Sequence, residues 1–527
     1  MGGFATARTI TLQGAIGHLV DVQADVSPGV VGTTLVGRPD AAINEGRDRC
    51  RMAVENTAPG QWPTTRRVTI LLSPADLPKS GPHFDLAMAV AVLAAAGHIK
   101  STALESTVFI GELTLNGRLR PTQGVLAMVL AAAARGVSRV FVPEPQAREA
   151  AMVPGMTVFG MRSLGQVVAE LRGDDVPSAP EVESSSGAHL LSWRGQSRLD
   201  DVDLLDVHGM ADARFALEVA AAGGHHLLLS GPKGAGKTTL AERIPGIMPD
   251  LTLDESLELM AIHSLAGVLE PGHMLRRPPF VAPHSSASRA SLLGGGTGRV
   301  RPGELSRAHG GVLFLDEFPQ FATDIIEALR QPLESGEVTI ARGDETATYP
   351  ARGMLVFACN PCPCGQYGGR GTACTCFEVE RRNYRKRMSG PILDRIDITR
   401  HVEPTGPIDR DPRAPKPESS EAVRERVAAA RMRQLERYAG QPWRTNGQAP
   451  GALLERHWPL DLDCHRTVDA EVYGGRLTRR GATRVHRVAW TVADLRGADS
   501  PTPDDVLVAL RLRQGEPLLA ATLRRAG

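Results

Sequence analysis

Residues 231–239 read GPKGAGKTT, directly after an apolar run, HLLLS at 226–230, and directly before LAERIPGIM at 240–248. An apolar run of strand length hands over to a glycine-rich turn and then to a helix. Gly231, Gly234 and Gly236 can take positive φ without a Cβ clash, so successive backbone N–H groups can turn inward as an anion-binding nest. The helix that follows points the positive end of its dipole at the same place. In this pattern Lys237 reaches outer phosphates and the Thr238 hydroxyl is placed for Mg²⁺. The whole loop (Gly231, Pro232, Lys233, Gly234, Ala235, Gly236, Lys237, Thr238 and Thr239) therefore reads as the cradle of a nucleoside triphosphate, and the expected cofactors are ATP and Mg²⁺.

The rest of the chain is long enough to build around such a site. Its 527 residues suggest about three domains. An apolar content of 42% with 23% charged residues is that of a globular protein. The formal net charge of +1 excludes a uniformly basic surface, so any nucleic-acid contact must come from local basic patches. The apolar run LAMAVAVLAAAG at 86–97 is shorter than the roughly 20 residues that span a bilayer. The first residues, MGGFATARTITLQGA, lack the apolar segment of a secretory signal. The expectation is a cytoplasmic protein with no membrane partner. Four of the seven cysteines fall within 362–376, which in that compartment argues for metal rather than disulfides.

Residues 1–172 read as a first α/β unit. β-Branched runs (TARTITLQGA, VVGTTLVG, RRVTILLSP, TVFIGELTL) alternate with helical ones (INEGRDRCRMAVENT, HFDLAMAVAVLAAAG, TQGVLAMVLAAAARG). A Pro-, Ser- and acid-rich connector follows at 173–188, then the nucleotide-binding unit at 189–402. A second connector occupies 403–420, and 421–527 reads as almost wholly helical.

Downstream of the loop, GVLFLDEF (311–318) is a buried strand delivering two carboxylates to the edge where ligands of α/β sheets sit. Asp316 can hold the Mg²⁺ shell and Glu317 can polarise a water. The strand MLVFA (354–358) ends at Cys359 and Asn360, and a polar Asn360 among these strand ends can orient water or sense the outer phosphate. It is also a residue type that turn chemistry favours before Pro361. Then comes SGPILDRIDI at 389–398.

Taken in this order, GPKGAGKT, RPGELSRAHGGVLFLDEF, EALRQPLESGEVTIAR, CNPCPCG and SGPILDRIDI resemble the magnesium-chelatase-like AAA+ ATPases of the ComM/YifB type, over essentially the whole chain. The resemblance implies a fold: a P-loop AAA+ core with a parallel sheet and helices on both faces, an N-terminal Lon-protease-like α/β domain, and an all-helical C-terminal lid. It also implies roles. Lys237 and Thr238 become Walker A, Asp316 and Glu317 Walker B, and Asn360 sensor 1. Arg395 becomes an arginine finger serving the neighbouring subunit, and Arg480, among Arg479, Arg484 and Arg487, sensor 2. At Lys233 relatives usually carry a small residue; the glycine pattern around it is retained.

Two inserts follow from the same comparison. Residues 284–307, HSSASRASLLGGGTGRVRPGELSR, hold three consecutive glycines and are expected as an exposed loop or hairpin. Residues 336–353 alternate like a β-hairpin turning at Gly343 and Asp344. In the resembling family these line a ring's pore, which makes Arg289, Arg299, Arg301 and Arg342 candidates for DNA phosphate contacts. Cys362-x-Cys364 and Cys374-x-Cys376 offer four thiolates for a structural Zn²⁺. Cys50, Cys359 and Cys464 read as buried core residues, and the basic run ERRNYRKR (380–387) as a solvated face or a contact to DNA or a neighbour.

LPKSGPHFD (77–85) and GELTLNGRLRPTQGVL (111–126) are similar to the proteolytic domain of Lon. That chemistry needs a Ser–Lys dyad, and His83 and Leu126 stand at the matching positions; leucine cannot accept a proton. The resemblance to the ComM/YifB type implies instead an ATP-driven ring, a homo-hexamer, moving DNA as a translocase or branch-migration helicase. The alternative is a chelatase-like motor that remodels a partner protein without DNA.

Overall fold

The computed structural model describes residues 3–182, 201–269, 273–296, 300–342, 345–367, 374–388, 390–404 and 417–519, with residues 199 and 522. Of the two connectors, 183–188 and 405–416 lie outside the described residues. Within the first connector, Ala179 and Pro177 offer their carbonyls to Arg162 (3.1 Å) and Gln166 (2.9 Å), so its first part lies back on the N-terminal unit.

Strands Gly3–Gln13, Ile16–Ser27, Gly32–Val36, Arg67–Ser73, Thr107–Phe109, Arg139–Pro143 and Thr157–Met161 form one mixed sheet. Gly3–Gln13 pairs antiparallel with Ile16–Ser27, and that strand antiparallel with Arg67–Ser73. Strand Ile16–Ser27 was not among the expected runs. Its alternation is real, with Val20, Val22, Ala24 and Val26 buried, but Asp and Gln at the alternate positions, and His18 on the buried face, dilute it. TVFIGELTL breaks into two short strands, Thr107–Phe109 and Glu112–Leu113. Helix Asp85–Ala95 is buried at every position, so burial between the sheet and helix Ala41–Thr57, more than helix propensity, holds it.

The opposite face of this sheet does not end in solvent. Ile10, Leu12, Val108 and Val140 join helix Val125–Ala133 in a hydrophobic cluster with Leu257, Met260 and Leu265 of helix Leu253–Ala266, and with Val300, Ala347 and Tyr349. The N-terminal sheet thus shares a core with parts of the nucleotide-binding unit. The Tyr349 hydroxyl, which burial would otherwise strand, donates to the Val300 carbonyl at 2.7 Å.

The second sheet is five-stranded and parallel throughout, in the order Phe280–Val281, Val312–Leu315, Met354–Cys359, Leu227–Ser230, Ile398–His401. Its three central strands are short, nearly continuous apolar runs, as expected where both faces are covered, whereas the edge strand Ile398–His401 carries Thr, Arg and His. One face packs into a cluster that continues through the C-terminal helices: Leu227, Val356 and Ile398 share it with Val427, Val488 and Leu510. Those helices are Ser420–Arg437, Gly451–His457, Leu462–Tyr473, Arg479–Arg496 and Pro503–Gln514. Ser419 caps the first through the Ala422 N–H, and Thr502 with Asp505 forms a capping box on the last. Among the described residues no helix is long and apolar enough to cross a membrane.

The first insert, expected as an exposed loop or hairpin, does form a short hairpin, but it is not simply exposed. Helix Arg289–Leu293 buries Leu292 and Leu293, and Gly294–Gly295 pairs antiparallel with Arg301–Pro302. A Cβ at Gly294 would stand 2.5 Å from the Arg301 carbonyl oxygen and 2.6 Å from Ile340 Cδ1. Glycine is there because two ribbons approach closely, not only because a loop needs freedom.

Candidate nucleotide site

In the five-stranded sheet, the register sets Ser230 beside Cys359, and Leu315 beside Phe357. The C-terminal ends of three adjacent strands therefore release 231–238, Asp316 and Asn360 at one edge, the position where α/β sheets hold ligands. Asn360 leaves the strand between the glycine-rich loop and the carboxylate strand. Gly231 donates its N–H to the Cys359 carbonyl (3.2 Å), and a Cβ on it would fall 2.1 Å from the Val402 carbonyl oxygen. Only glycine fits where the loop leaves the sheet. Gly234 and Gly236 take φ of 78° and 90°, the left-handed region that the nest requires. Helix Lys237–Ala241 starts at once after Gly236.

Lys237 is buried, and its ammonium donates to the Gly231 carbonyl (2.8 Å), the Pro232 carbonyl (2.9 Å) and Asn360 Oδ1 (2.9 Å). All three acceptors are neutral. Burial pulls this ammonium below the ordinary lysine value, against the opposing attraction of Asp316, Cys359 and Glu317. A cation held by neutral oxygens beside an open nest of N–H groups fits an anionic ligand. The Thr238 hydroxyl donates to Asp316 Oδ2 at 3.1 Å, which brings together a hydroxyl and a carboxylate of the kind that Mg²⁺ ligation uses. Asp316 Oδ1 accepts the Glu317 N–H (2.8 Å), and Glu317 sits at φ 49°, a left-handed conformation that aims it away from the strand.

Other singled-out residues fall elsewhere. Arg395 is mostly buried; its guanidinium pairs with Glu334 (2.6 Å) and donates to the Pro391 carbonyl (2.6 Å), rather than pairing with Asp394 or Asp397. Asp397 instead belongs to the seam between the sheet and the helical unit. It accepts from Arg484 (3.2 Å) and from the His226 N–H (2.9 Å). Burial pushes its carboxyl up, but Arg484, His225 and His226 pull it down further, to about 2. Arg480 is exposed in the first turn of helix Arg479–Arg496. Arg289 and Arg301 are exposed; Arg342 ends the strand Glu337–Arg342, and Arg299, like the turn at Gly343 and Asp344, lies outside the described residues.

Cys362, Cys364, Cys374 and Cys376 converge, with all four Sγ atoms within 4.8 Å of one another. Cys50, Cys359 and Cys464 are buried singly. In the N-terminal unit, His83 and Leu126 are both buried, and a His83 ring nitrogen lies 2.7 Å from the Ile10 carbonyl oxygen.

Some contacts had no local signal. Gly365 offers its carbonyl to the Lys233 N–H (3.2 Å), and Glu334 is the partner of Arg395. Both pairings join segments far apart in sequence, which no window of residues reveals. The Arg484–Asp397 pair was half visible, as one of four arginines competing in one helix.

Three family models match the chain. Residues 203–408 match magnesium chelatase, subunit ChlI; residues 22–146 match subunit ChlI of Mg-chelatase; residues 417–513 match the C-terminal part of subunit ChlI. The competence protein ComM of Haemophilus influenzae is 38% identical over 482 residues, 91% of each chain. The uncharacterized protein YifB of Escherichia coli is 36% identical over 500 residues, 95% of each. The chain belongs to the magnesium-chelatase-like AAA+ ATPases of the ComM/YifB type. An uncharacterized protein of Mycobacterium tuberculosis is 45% identical over 511 residues, 96% of this chain and 98% of its own. Membership carries ATPase activity with ATP and Mg²⁺, and accounts for the parallel sheet, its glycine loop and the C-terminal helices.

Proposed function

We propose that this ATPase assembles as a homo-hexameric ring and couples hydrolysis to movement along DNA, as a translocase or branch-migration helicase serving recombination or transformation. One observation carries the reading. The two arginine-bearing inserts pack as one unit, with Gly294 of the glycine ribbon against Ile340 of the hairpin. Exposed Arg289 begins the helix that leads into that ribbon, exposed Arg301 stands on the ribbon itself, and the strand Glu337–Arg342 ends in a further arginine. Arginines carried on such inserts suit a phosphate backbone. The similarity to a protein named for competence supports the same substrate.

In this reading residues 1–172, 189–402 and 421–527 are the three domains, and the protein works in the cytoplasm. Loop residues 231–239 hold the triphosphate, with Thr238 and Asp316 on Mg²⁺, which neutralises charge on the phosphate oxygens when bound. Glu317 orients and polarises the attacking water, Asn360 registers the outer phosphate, and Arg480 contacts the nucleotide from the helical unit. Arg395, held by Glu334 within its own chain, acts on the neighbour's nucleotide; a finger of this kind contributes about 10³–10⁵ in rate and makes turnover depend on assembly. The four clustered cysteines hold a structural Zn²⁺.

The family-model descriptions favour one other reading, a chelatase-like motor acting on a protein partner. A peptidase reading is disfavoured because His83 and Leu126 are sealed in the core. Steady-state ATP hydrolysis separates the two motors, measured alone and with single-stranded, duplex, forked and four-way-junction DNA, with Lys237→Ala and Glu317→Gln as blanks. Stimulation by forked or junction DNA is expected. An unchanged rate with every DNA, while both variants are inactive, would make the substrate a protein.

A further inference from the structure

The four cysteines are not remote from the nucleotide site. Cys362 and Cys364 lie inside 360–365, a segment that touches the glycine-rich loop at each end. At its start Asn360 Oδ1 accepts from Lys237 Nζ (2.9 Å). At its end the Gly365 carbonyl accepts from the Lys233 N–H (3.2 Å), and a Cβ on Gly365 would stand 3.1 Å from Lys233 Cβ and 3.6 Å from Asn360 Cγ. Between those two contacts the Gly365 N–H closes a turn on the Cys362 carbonyl (3.0 Å).

The sulfurs have the spacing of a tetrahedral site. Cys362 and Cys364 Sγ are 3.3 Å apart, Cys362 and Cys374 3.7 Å, and Cys364 and Cys374 3.6 Å. Metal–sulfur bonds of about 2.3 Å in a tetrahedron set sulfurs about 3.8 Å apart. A disulfide would need about 2.05 Å. Backbone N–H groups already point at two of the sulfurs: Tyr367 donates to Cys362 Sγ (3.4 Å) and Cys364 to Cys376 Sγ (3.4 Å). These are the outer contacts that hold thiolate ligands in place. Downstream, Arg381 stacks over Tyr367 at 4.4 Å, and Arg387 donates to the Pro319 carbonyl (3.3 Å), two residues beyond Glu317.

We propose that a soft divalent cation of the Zn²⁺ class, bound by Cys362, Cys364, Cys374 and Cys376, sets the affinity of the nucleotide site by pinning the segment that carries Asn360 and Gly365 against the P-loop. This rests on the zinc reading given above and adds a function to it. Without the cation, four thiols of a small loop have no shared centre, and the turn that aims the Gly365 carbonyl and the Asn360 amide is free to rearrange. Loading the cation preorganises the loop; the nucleotide then binds without bearing that ordering cost.

The test uses the full chain and two readouts besides turnover: metal per chain by plasma mass spectrometry, and binding of a fluorescent ATP analogue in excess Mg²⁺. One zinc per chain is expected. Stripping with a zinc-selective chelator weakens the analogue about tenfold, the loss of one well-oriented contact, and added Zn²⁺ restores it. Cys376→Ser loses the metal and shows the same weakening. Gly365→Ala keeps the metal but still weakens binding, because its Cβ at φ 79° presses on Lys233. Cys464→Ser, far from the cluster, changes neither. Circular dichroism checks that the stripped protein stays folded, and reversible stripping serves if Cys376→Ser does not fold. Absence of metal from the wild type overturns the zinc reading and the coupling together. Metal present, with nucleotide affinity unchanged on stripping, overturns the coupling alone.

Discussion

Replacing Lys237 by methionine separates what this residue does for the fold from what it does for the ligand. Its ammonium is buried and bonded to three neutral oxygens, with no carboxylate among them. Deleting those bonds costs about 1 kcal/mol each, so about 3 kcal/mol. Removing a buried charge with no directly bonded counter-ion returns several kcal/mol of desolvation, less the attraction of Asp316 and Glu317. The two nearly cancel, and the melting temperature of the free protein should move little. With Mg²⁺ and ATP at a hundred times the dissociation constant, the wild type gains about 2.7 kcal/mol. For a unit of this size that is roughly 5–10 °C. The variant should gain nothing.

The sign also has a pH signature. Burial holds the folded ammonium below the ordinary lysine value. Between that depressed value and about 10.4 the unfolded chain binds the extra proton, so wild-type stability rises with pH in that window relative to the variant. Scanning fluorimetry with and without a non-hydrolysable ATP analogue reads both effects. A variant that keeps the full ligand shift, or that melts far earlier without ligand, would show that Lys237 is a structural lysine and the reasoning is wrong.

Glu317→Gln should cut hydrolysis by about 10²-fold or more while leaving binding of the ATP analogue intact, since the amide keeps the shape but cannot take a proton; comparing single-turnover rate with affinity checks it, and equal losses in both would count against a water-polarising role. Acid should loosen the seam between sheet and helical unit. Burial keeps His225 and His226 neutral, at about 4, against the pull of Asp397. The unfolded chain therefore takes up protons first, and stability falls as pH drops from about 6.5 toward 4, with the Asp397 contribution lost below about 3.8. Fluorescence of Trp443, Trp458 and Trp490, all in the helical unit, follows this, and a flat signal from pH 7 to 4 would refute it. Leu265→Arg drives a charge into the cluster shared with the N-terminal sheet, at a cost of about 3 kcal/mol or more. Hydrogen exchange in helix Val125–Ala133 should accelerate while affinity for the ATP analogue holds; unchanged protection would mean that the shared core contributes little.

What could be read before the structure was the chemistry that lives within a few residues. The strand–loop–helix setting of 231–239 follows from apolar continuity and glycine spacing alone. So do helices Ala41–Thr57, Ser420–Arg437 and Arg479–Arg496, whose patterns run for several turns. Strand Ile16–Ser27 was missed because one sheet face tolerates polar residues, leaving half an alternation. At Gly294 the hairpin was legible but the close packing was not: a missing side chain looks like freedom in one dimension and serves close packing in three. Contacts such as Gly365 to Lys233, or Arg395 to Glu334, are set by how strands are ordered in the sheet, and that order is not written in any local window.

Strand Glu345–Pro350 carries Tyr349 and Ala347 into the core beneath the seven-stranded sheet, and a Cβ at Gly14, in the turn of that sheet, would lie 2.9 Å from the Thr348 backbone. A stroke of the hairpin therefore cannot be a local flick. To slide past the sheet it must prise a buried aromatic ring from its socket; to avoid that, it must carry all seven strands along as ballast. In the ring proposed above, the same coupling would turn each N-terminal domain into a handle on one hairpin. In that ring, a molecule that gripped the seven-stranded sheet from solution would hold the hairpin still without touching the nucleotide.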